Sequence, residues 1–196
     1  MEKSDCLLIV DLQNDFCPGG SLAVQGGDEI VEPINQIMKY FSLIVTTQDW
    51  HPANHCSFKA QGGPWPPHCI QKTWGAQLHP KLDQSKVQLQ ILKADLPDRE
   101  AYSGFDGSRL KEELQERNVH RVFIAGLTTD YCVRTTAFDA LRHKFEAVVF
   151  TDLTRPVNVH PGDGERALNE IKQAGAVLAT SSDIRQGKFL HRVGST

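Results

Sequence analysis

Six short apolar runs alternate with segments whose apolar residues recur at helical spacing, and this alternation constrains the fold more than any other feature of the sequence. Solid apolar runs of this kind are typical of parallel strands that are covered on both faces of a sheet. We therefore predict an α/β protein with a doubly wound, mostly parallel sheet of about six strands and helices on both faces. The predicted strands are residues 6–11, 43–49, 87–93, 121–126, 146–152 and 176–180, and the predicted helices are residues 30–41, 108–118, 130–143 and 164–174.

The bulk properties of the chain exclude several classes of function. The 196 residues contain no repeat or composition break, so we expect a single domain over residues 1–196, ending in a short helix and a loose tail. A net charge of −3 without a basic run argues against nucleic acid or an anionic membrane as partner. No apolar stretch approaches the ~18 residues of a membrane span, and no signal peptide is evident. Five cysteines without a CxxC pair favour a cytoplasmic location over a disulfide framework.

Chemically useful polar residues stand at the ends of the predicted strands. Asp11, Asp49 and Lys93 end the first three strands, and Cys132 follows the fourth. Ligands of open parallel sheets bind beyond the carboxyl ends of the strands, so we expect these four side chains at one edge. In the first turn of a helix, and beside Lys93, Cys132 would be favoured as a thiolate nucleophile. Asp11 could accept the thiol proton and return it to a leaving group. The alternative is an ion pair between Asp11 and Lys93 that only closes the sheet edge, with an inert buried cysteine.

The irregular segment 50–80, rich in Pro, Gly, His and Trp, supplies a second set of candidates. Asp49 and His51 are two residues apart, so in an extended chain their side chains point the same way. With His68 they form a His/His/carboxylate set, which suits zinc, iron or manganese with positions left open. His55 is a candidate fourth ligand. We therefore predict one divalent metal ion, with zinc preferred over iron or manganese, against the alternative of solvated loop histidines.

Three common sequence signatures are missing. The dinucleotide fingerprint GxGxxG does not follow the first strand, and the P-loop GxxxxGK[ST] is absent, so a nucleotide site is not supported. The nucleophile elbow GxSxG, or its cysteine form, is also absent, which disfavours a cysteine-dependent α/β-hydrolase.

Five motifs together resemble the nicotinamidases of the isochorismatase-like hydrolase family: DLQNDFCPGGSLAV (11–24), DWHPANHCSF (49–58), WPPHC (65–69), YSGF (102–105) and GLTTDYCV (126–133). The resemblance runs from the first strand to the helix after Cys132, and weakly onward. It implies an isochorismatase-like fold in which Asp11, Lys93 and Cys132 correspond to an Asp/Lys/Cys catalytic triad. It also implies that Asp49, His51 and His68 are metal ligands, with His55 at a less constant position.

The resemblance assigns further roles around the substrate. The aromatic walls that hold a pyridine ring correspond to Phe16 and Trp65, and Tyr102 of YSGF joins the predicted substrate-binding residues. A cis peptide bond is implied between Leu127 and Thr128, with an oxyanion hole formed by the backbone N–H groups of Thr128 and Cys132. Thr128 departs from the many relatives that carry alanine at this position. Because the backbone acts there, we expect activity to survive, while the hydroxyl could shift substrate preference.

The implied reaction is hydrolysis of nicotinamide to nicotinate and ammonia through a cysteine thioester, in NAD salvage. The first alternative is another amidase of the same fold that acts on a carbamoyl or ureido compound and needs no metal. Isochorismate hydrolysis is disfavoured because that branch does not rely on the cysteine. The second alternative is a non-catalytic metal-binding protein that kept the fold. The expected partner is a small-molecule amide, and the sequence leaves homo-oligomer formation and cleavage of pyrazinamide open.

Overall fold

The computed structural model describes residues 1–189, and its centre is a sheet of six parallel strands. The strands are β1 (Asp5–Val10), β2 (Leu43–Asp49), β3 (Leu89–Lys93), β4 (Arg121–Leu127), β5 (Glu146–Arg155) and β6 (Val177–Ala179), in the order β3-β2-β1-β4-β5-β6. The chain begins in the middle of the sheet, builds one half outward, and returns to build the other half. The predicted doubly wound parallel sheet is therefore confirmed.

Helices cover both faces of this sheet. They are α1 (Val31–Met38), α2 (Leu110–Glu116), α3 (Arg134–Arg142), α4 (Asp163–Gln173) and α5 (Ser181–Arg185). Successive residues of a strand point to opposite faces, so Ile9 packs in one core with Ile34 of α1, and Leu8 packs in the other with Leu114 of α2 and Ala137 of α3. The prediction of helices on both faces is confirmed.

Some predicted boundaries shift, each for a local reason. The helix predicted over residues 30–41 begins as α-helix at Val31, because Gly27–Ile30 form a 3₁₀ turn first. The helix predicted over residues 130–143 becomes an α-helix only at Arg134. The predicted C-terminal helix is present as α5, whereas residues 190–196 of the predicted tail lie outside the described residues. The single domain over residues 1–196 extends into that tail and stays a prediction.

The carboxyl edge of the sheet forms a crevice where the strand order reverses, between β1 and β4. Asp11 follows β1, and the segment GLTTDYCV runs from the end of β4 into the crevice. The connection from β2 to β3 is irregular, as predicted for residues 50–80. An isolated β-bridge between His51 and Ile70 joins two parts of this connection. Within residues 1–189, no helix has the length and apolar character needed to cross a membrane.

Close packing of β1 against β4 places the start of the GLTTDYCV segment. Gly126 has φ +114°, and a Cβ atom on it would lie 2.0 Å from the carbonyl oxygen of Val10. Only a residue without a side chain lets the two backbones approach this closely just before the chain enters the crevice.

We expect Gly126→Ala to lower the free energy of unfolding by about 3 kcal/mol or more, because the new methyl group overlaps the Val10 carbonyl. Gly62→Ala is the matched control: Gly62 has φ +86°, but no described atom lies within 4 Å of the position its Cβ would take. It should cost about 1 kcal/mol, the backbone penalty alone. Urea unfolding of both variants measures the difference, and equal losses would contradict the steric explanation.

Candidate active site

Lys93 is a buried ammonium group at the carboxyl end of β3. It donates a hydrogen bond to the Asp49 carboxylate and another to the carbonyl oxygen of Ala101 (3.0 Å), and its Nζ lies 3.0 Å from Asp11 Oδ2. The ammonium group donates its hydrogen bonds to Asp49, Ala101 and Cys132, and Asp11 is held to it as an ion pair. Burial would lower the pKa of Lys93, but Asp11 and Asp49 raise its pKa well above the usual value. Lys93 therefore carries a positive charge, matched by acids at the ends of β1 and β2.

Cys132 lies beside this ion cluster, with its Sγ 3.6 Å from Lys93 Nζ. This contact is a hydrogen bond from the ammonium group to the sulfur. Burial raises the pKa of the Cys132 thiol; Lys93 opposes this rise, and Asp11 and Asp49 add to it. Burial, the largest influence on the Cys132 pKa, therefore acts against the resting thiolate that Lys93 and the helix start were expected to favour. A pKa raised in this way favours the neutral thiol.

The turn that carries Cys132 is π-helical. Thr129–Val133 form this turn, and the Val133 N–H donates to the carbonyl oxygen of Thr128 at 3.0 Å, five residues back. Such turns are rare and are often found at functional sites. The peptide bond between Leu127 and Thr128 is cis, as the resemblance implied.

Asp11 is placed to exchange a proton with Cys132. It stands directly after β1 with φ +45°, and its Oδ1 accepts a hydrogen bond from Thr47 Oγ1 at 2.6 Å. An oxygen of Asp11, an oxygen of Asp49 and Cys132 Sγ all lie within 4.8 Å of one another. Burial raises the pKa of Asp11, and Lys93 opposes this only in part. A carboxylate with a raised pKa holds a proton more readily, which suits a base that later acts as an acid.

Asp49, His51 and His68 form a second cluster, which shares Asp49 with the ion cluster around Lys93. One ligand atom from each lies within 4.8 Å of the others. Each histidine is oriented by a backbone carbonyl: His51 Nδ1 lies 3.1 Å from Ala94 O, and His68 Nδ1 lies 2.8 Å from Pro66 O. This arrangement leaves each Nε2 as the free nitrogen, as in histidines that bind metal ions. The three residues therefore fit a divalent metal ion, with positions left for other ligands.

His55 does not join this set. Its Nδ1 lies 2.7 Å from Ser57 Oγ and its Nε2 lies 3.0 Å from Arg99 O, so both ring nitrogens already have partners. The ring stacks on His51 with centroids 4.1 Å apart. The sequence could not separate His55 from the other loop histidines, because the difference lies in Arg99, which is 44 residues away. His55 is grouped instead with His51 and Glu100, whose ligand atoms lie within 4.8 Å of one another, so its role as a fourth ligand stays a prediction.

A narrow cleft opens onto Cys132 and Asp49. Its other predicted lining residues are Phe16, Trp65, His68, Tyr102 and Thr128. Trp65 Nε1 donates a hydrogen bond to Tyr102 Oη at 3.0 Å, which fixes both rings in one wall. The hydroxyl of Thr128 is buried without a protein partner among the described residues. The structure thus brings every predicted substrate-binding residue to the same cleft as the nucleophile candidate.

Sequence reasoning missed three lining residues, Leu22, Tyr131 and Val157. Tyr131 is the neighbour of Cys132 in GLTTDYCV, and its ring meets Trp65 edge-to-face with centroids 5.0 Å apart. Val157 is held in place by Asp130, whose two carboxylate oxygens accept the N–H groups of Val157 (2.9 Å) and Asn158 (2.8 Å). Asp130 can be seen in the motif, but the sequence does not reveal its partners, which lie 27 and 28 residues further along the chain.

Asp15 has a similar structural role in the first motif. Its Oδ2 accepts the N–H of Cys69 at 2.7 Å, and its Oδ1 accepts the N–H of Ser21 at 3.0 Å. These bonds fix the segment that carries His68 against the segment that carries Phe16. Two walls of the cleft, far apart in the sequence, are joined by this one buried carboxylate.

The family model of the isochorismatase domain matches residues 5–183. The chain belongs to the isochorismatase family. Within this family it is similar to the nicotinamidase of Escherichia coli, with 40% identity over 90% of this chain and 95% of the relative.

Two solved structures of similar family members carry ligands. A pyrazinamidase of Pyrococcus horikoshii in complex with zinc is 46% identical, with a TM-score of 0.84 over 90% of this chain and 99% of that chain. A protein of L. infantum in complex with nicotinate is 41% identical, with a TM-score of 0.88 over 93% of this chain and 96% of that chain. The fold predicted from the family resemblance is therefore confirmed.

We expect Lys93→Met to lower the free energy of unfolding by about 3–5 kcal/mol, because it leaves two buried carboxylates without their cation. Lys86→Met is the control: Lys86 pairs with Asp83 at 2.9 Å on the surface, so its loss should cost about 0.5 kcal/mol or less. Urea unfolding of metal-free protein measures both. Similar small losses would contradict the view that Lys93 holds the ion cluster together.

Proposed function

We propose that the protein is a nicotinamidase, which hydrolyses nicotinamide to nicotinate and ammonia in NAD salvage. The observation that carries this proposal is the position of Cys132, with its Sγ 3.6 Å from Lys93 Nζ at a cleft walled by Phe16 and Trp65. A thiol beside a proton acceptor forms covalent intermediates with amides, and aromatic walls suit a flat pyridine ring. The similarity to nicotinamidases over most of the chain supports the same substrate.

In the proposed first step, the Cys132 sulfur attacks the carboxamide carbon while Asp11 takes the thiol proton. Lys93 keeps its charge and stabilises the negative charge as it moves from sulfur to oxygen. The backbone N–H groups of Thr128 and Cys132 form the oxyanion hole for the tetrahedral oxygen. Asp11 then gives its proton to the departing amine, ammonia leaves, and a thioester remains.

In the second step, water attacks the thioester carbonyl while Asp11 removes a proton from the water. The C–S bond breaks, the proton returns to the sulfur of Cys132, and nicotinate is released. Phe16, Trp65 and Tyr102 hold the ring in the cleft during both steps. The reaction consumes one water and returns Cys132 to its starting state, so no other reactant is needed.

Asp49, His51 and His68 would hold a divalent metal ion, for which we propose zinc. When bound, the ion would offer a Lewis-acid contact to the ring nitrogen and so orient the substrate. The nitrogen and oxygen donors suit zinc, and the Pyrococcus horikoshii pyrazinamidase was solved in complex with zinc. His51 and His68 each use the second ring nitrogen to contact a backbone carbonyl oxygen, which holds the ligand nitrogen in place.

We expect purified, zinc-loaded protein to release ammonia from nicotinamide, and Cys132→Ala to lower kcat by more than about 10⁴-fold because the nucleophile is gone. Cys56→Ala is the control; Cys56 is a half-buried thiol of the loop and should keep the parent rate. An enzyme-coupled ammonia assay measures all three proteins. Normal turnover by Cys132→Ala would refute the mechanism, and release only from carbamoyl or ureido compounds would change the substrate.

We expect His68→Ala to weaken zinc binding by about 100-fold or more, because it removes a ligand, and His55→Ala to stay within about tenfold of the parent. Competition with a chromophoric chelator measures the dissociation constants without reference to activity. Equal weakening in the two variants would place His55 among the ligands and contradict the geometry of its ring nitrogens.

A further inference from the structure

The side chain of Gln13 bonds to both backbone polar groups of Asp49. Its Nε2 donates to the carbonyl oxygens of Asp49 (2.8 Å) and Ala76 (2.9 Å), and its Oε1 accepts the N–H of Asp49 (2.8 Å). Gln13 is completely buried. These bonds use both donor hydrogens of the amide and one of the two lone pairs of its oxygen.

The hydrogen bonds from Gln13 take the place of those that a neighbouring strand would make with the backbone of Asp49. On one side, Asp49 pairs with Lys93 in the register of β2 and β3. On the other side, the β1–β2 register ends at Ile9 and Thr46, and the chain turns away at Asp11. The amide of Gln13 fills the gap with the donor and acceptor that a neighbouring backbone would have offered.

Asp49 is the residue that the ion cluster and the candidate metal site have in common. Its Oδ1 accepts a hydrogen bond from Lys93, and its Oδ2 lies 3.6 Å from His51 Nε2. A shift of the Asp49 backbone would therefore move one oxygen away from Lys93 and the other away from the metal ligands. The position of the Asp49 backbone therefore affects both the ion cluster and the candidate metal site.

We propose that Gln13 is a positioning residue, whose amide holds Asp49 so that one carboxylate serves Lys93 and the metal site together. The kinetic part of this inference rests on the proposed nicotinamidase activity, whereas the part on metal affinity does not. It gives a role to the glutamine between Asp11 and Asp15, for which the sequence offered none.

A simpler role for Gln13 would be to tether the loop at Ala76, and the chain contains a control for it. Gln48 is also a buried amide, and its Nε2 donates to the same Ala76 carbonyl oxygen at 3.1 Å. Within residues 1–189, the Gln48 side chain makes no other hydrogen bond. Gln48→Met therefore weakens the loop tether and leaves the side-chain bonds to Asp49 in place.

The test compares Gln13→Met with Gln48→Met. We expect Gln13→Met to weaken zinc binding by about 10–100-fold, the range seen when a group that supports a metal ligand is lost. Its kcat with nicotinamide should stay low at saturating zinc, because Lys93 is also displaced. Gln48→Met should match the parent in both measurements. Chelator competition gives the zinc affinity, ammonia release gives kcat and KM, and near-UV circular dichroism confirms that each variant is folded.

Each outcome supports or overturns the proposal. Equal weakening in Gln13→Met and Gln48→Met would assign the effect to the loop tether and overturn it, and so would parent-like zinc affinity in Gln13→Met. If Gln13→Met does not fold, Gln13→Asn replaces it, since its amide is one methylene too short to reach both partners; parent-like affinity there would again overturn the proposal. If Gln13→Met binds zinc more weakly than the parent while the parent itself leaves nicotinamide intact, the nicotinamidase reaction is rejected and the role of Gln13 is kept.

Discussion

The buried ammonium group of Lys93 is the interaction on which the rest of the site depends. Removing a charge from water is costly, and this cost is offset by the opposite charges of Asp11 and Asp49 and by hydrogen bonds to Asp49 and the Ala101 carbonyl. The acids end two other strands, so the ion cluster fixes the carboxyl ends of β1, β2 and β3 relative to one another. Cys132 is then placed against this cluster by the turn that follows β4.

Burial and the charges of the cluster together influence the protonation state of Cys132. Burial raises the pKa of the Cys132 thiol, Lys93 opposes this rise, and Asp11 and Asp49 add to it, so the neutral thiol is favoured. In the proposed reaction, a thiolate forms only as the proton passes to Asp11, whose own pKa is raised by burial. Asp49 takes part in a second arrangement at the same time, because its other oxygen faces His51. The proposed chemistry and the proposed metal site are thus coupled through one side chain.

Much of the fold could be predicted from the sequence because strands buried on both faces have a simple signature. The run LIVTTQD was predicted to be residues 43–49 and is β2 with the same bounds. Residues 130–133 of the π-helical turn Thr129–Val133 were predicted as the start of an ordinary helix, because an apolar pattern does not distinguish the two types of turn. The strand-end residues Asp11 and Lys93 could be placed at one edge, since parallel strands end on the same side of a sheet.

The sequence by itself determined the order of strands and helices, and the four reactive side chains that had to meet at the carboxyl edge. These follow from local patterns and from the geometry that all parallel sheets share. Only the tertiary structure decided that His68 joins Asp49 while His55 does not, and that Gln13 holds Asp49 in place. Those outcomes depend on hydrogen bonds to groups 36 to 63 residues away, and no local pattern contains them.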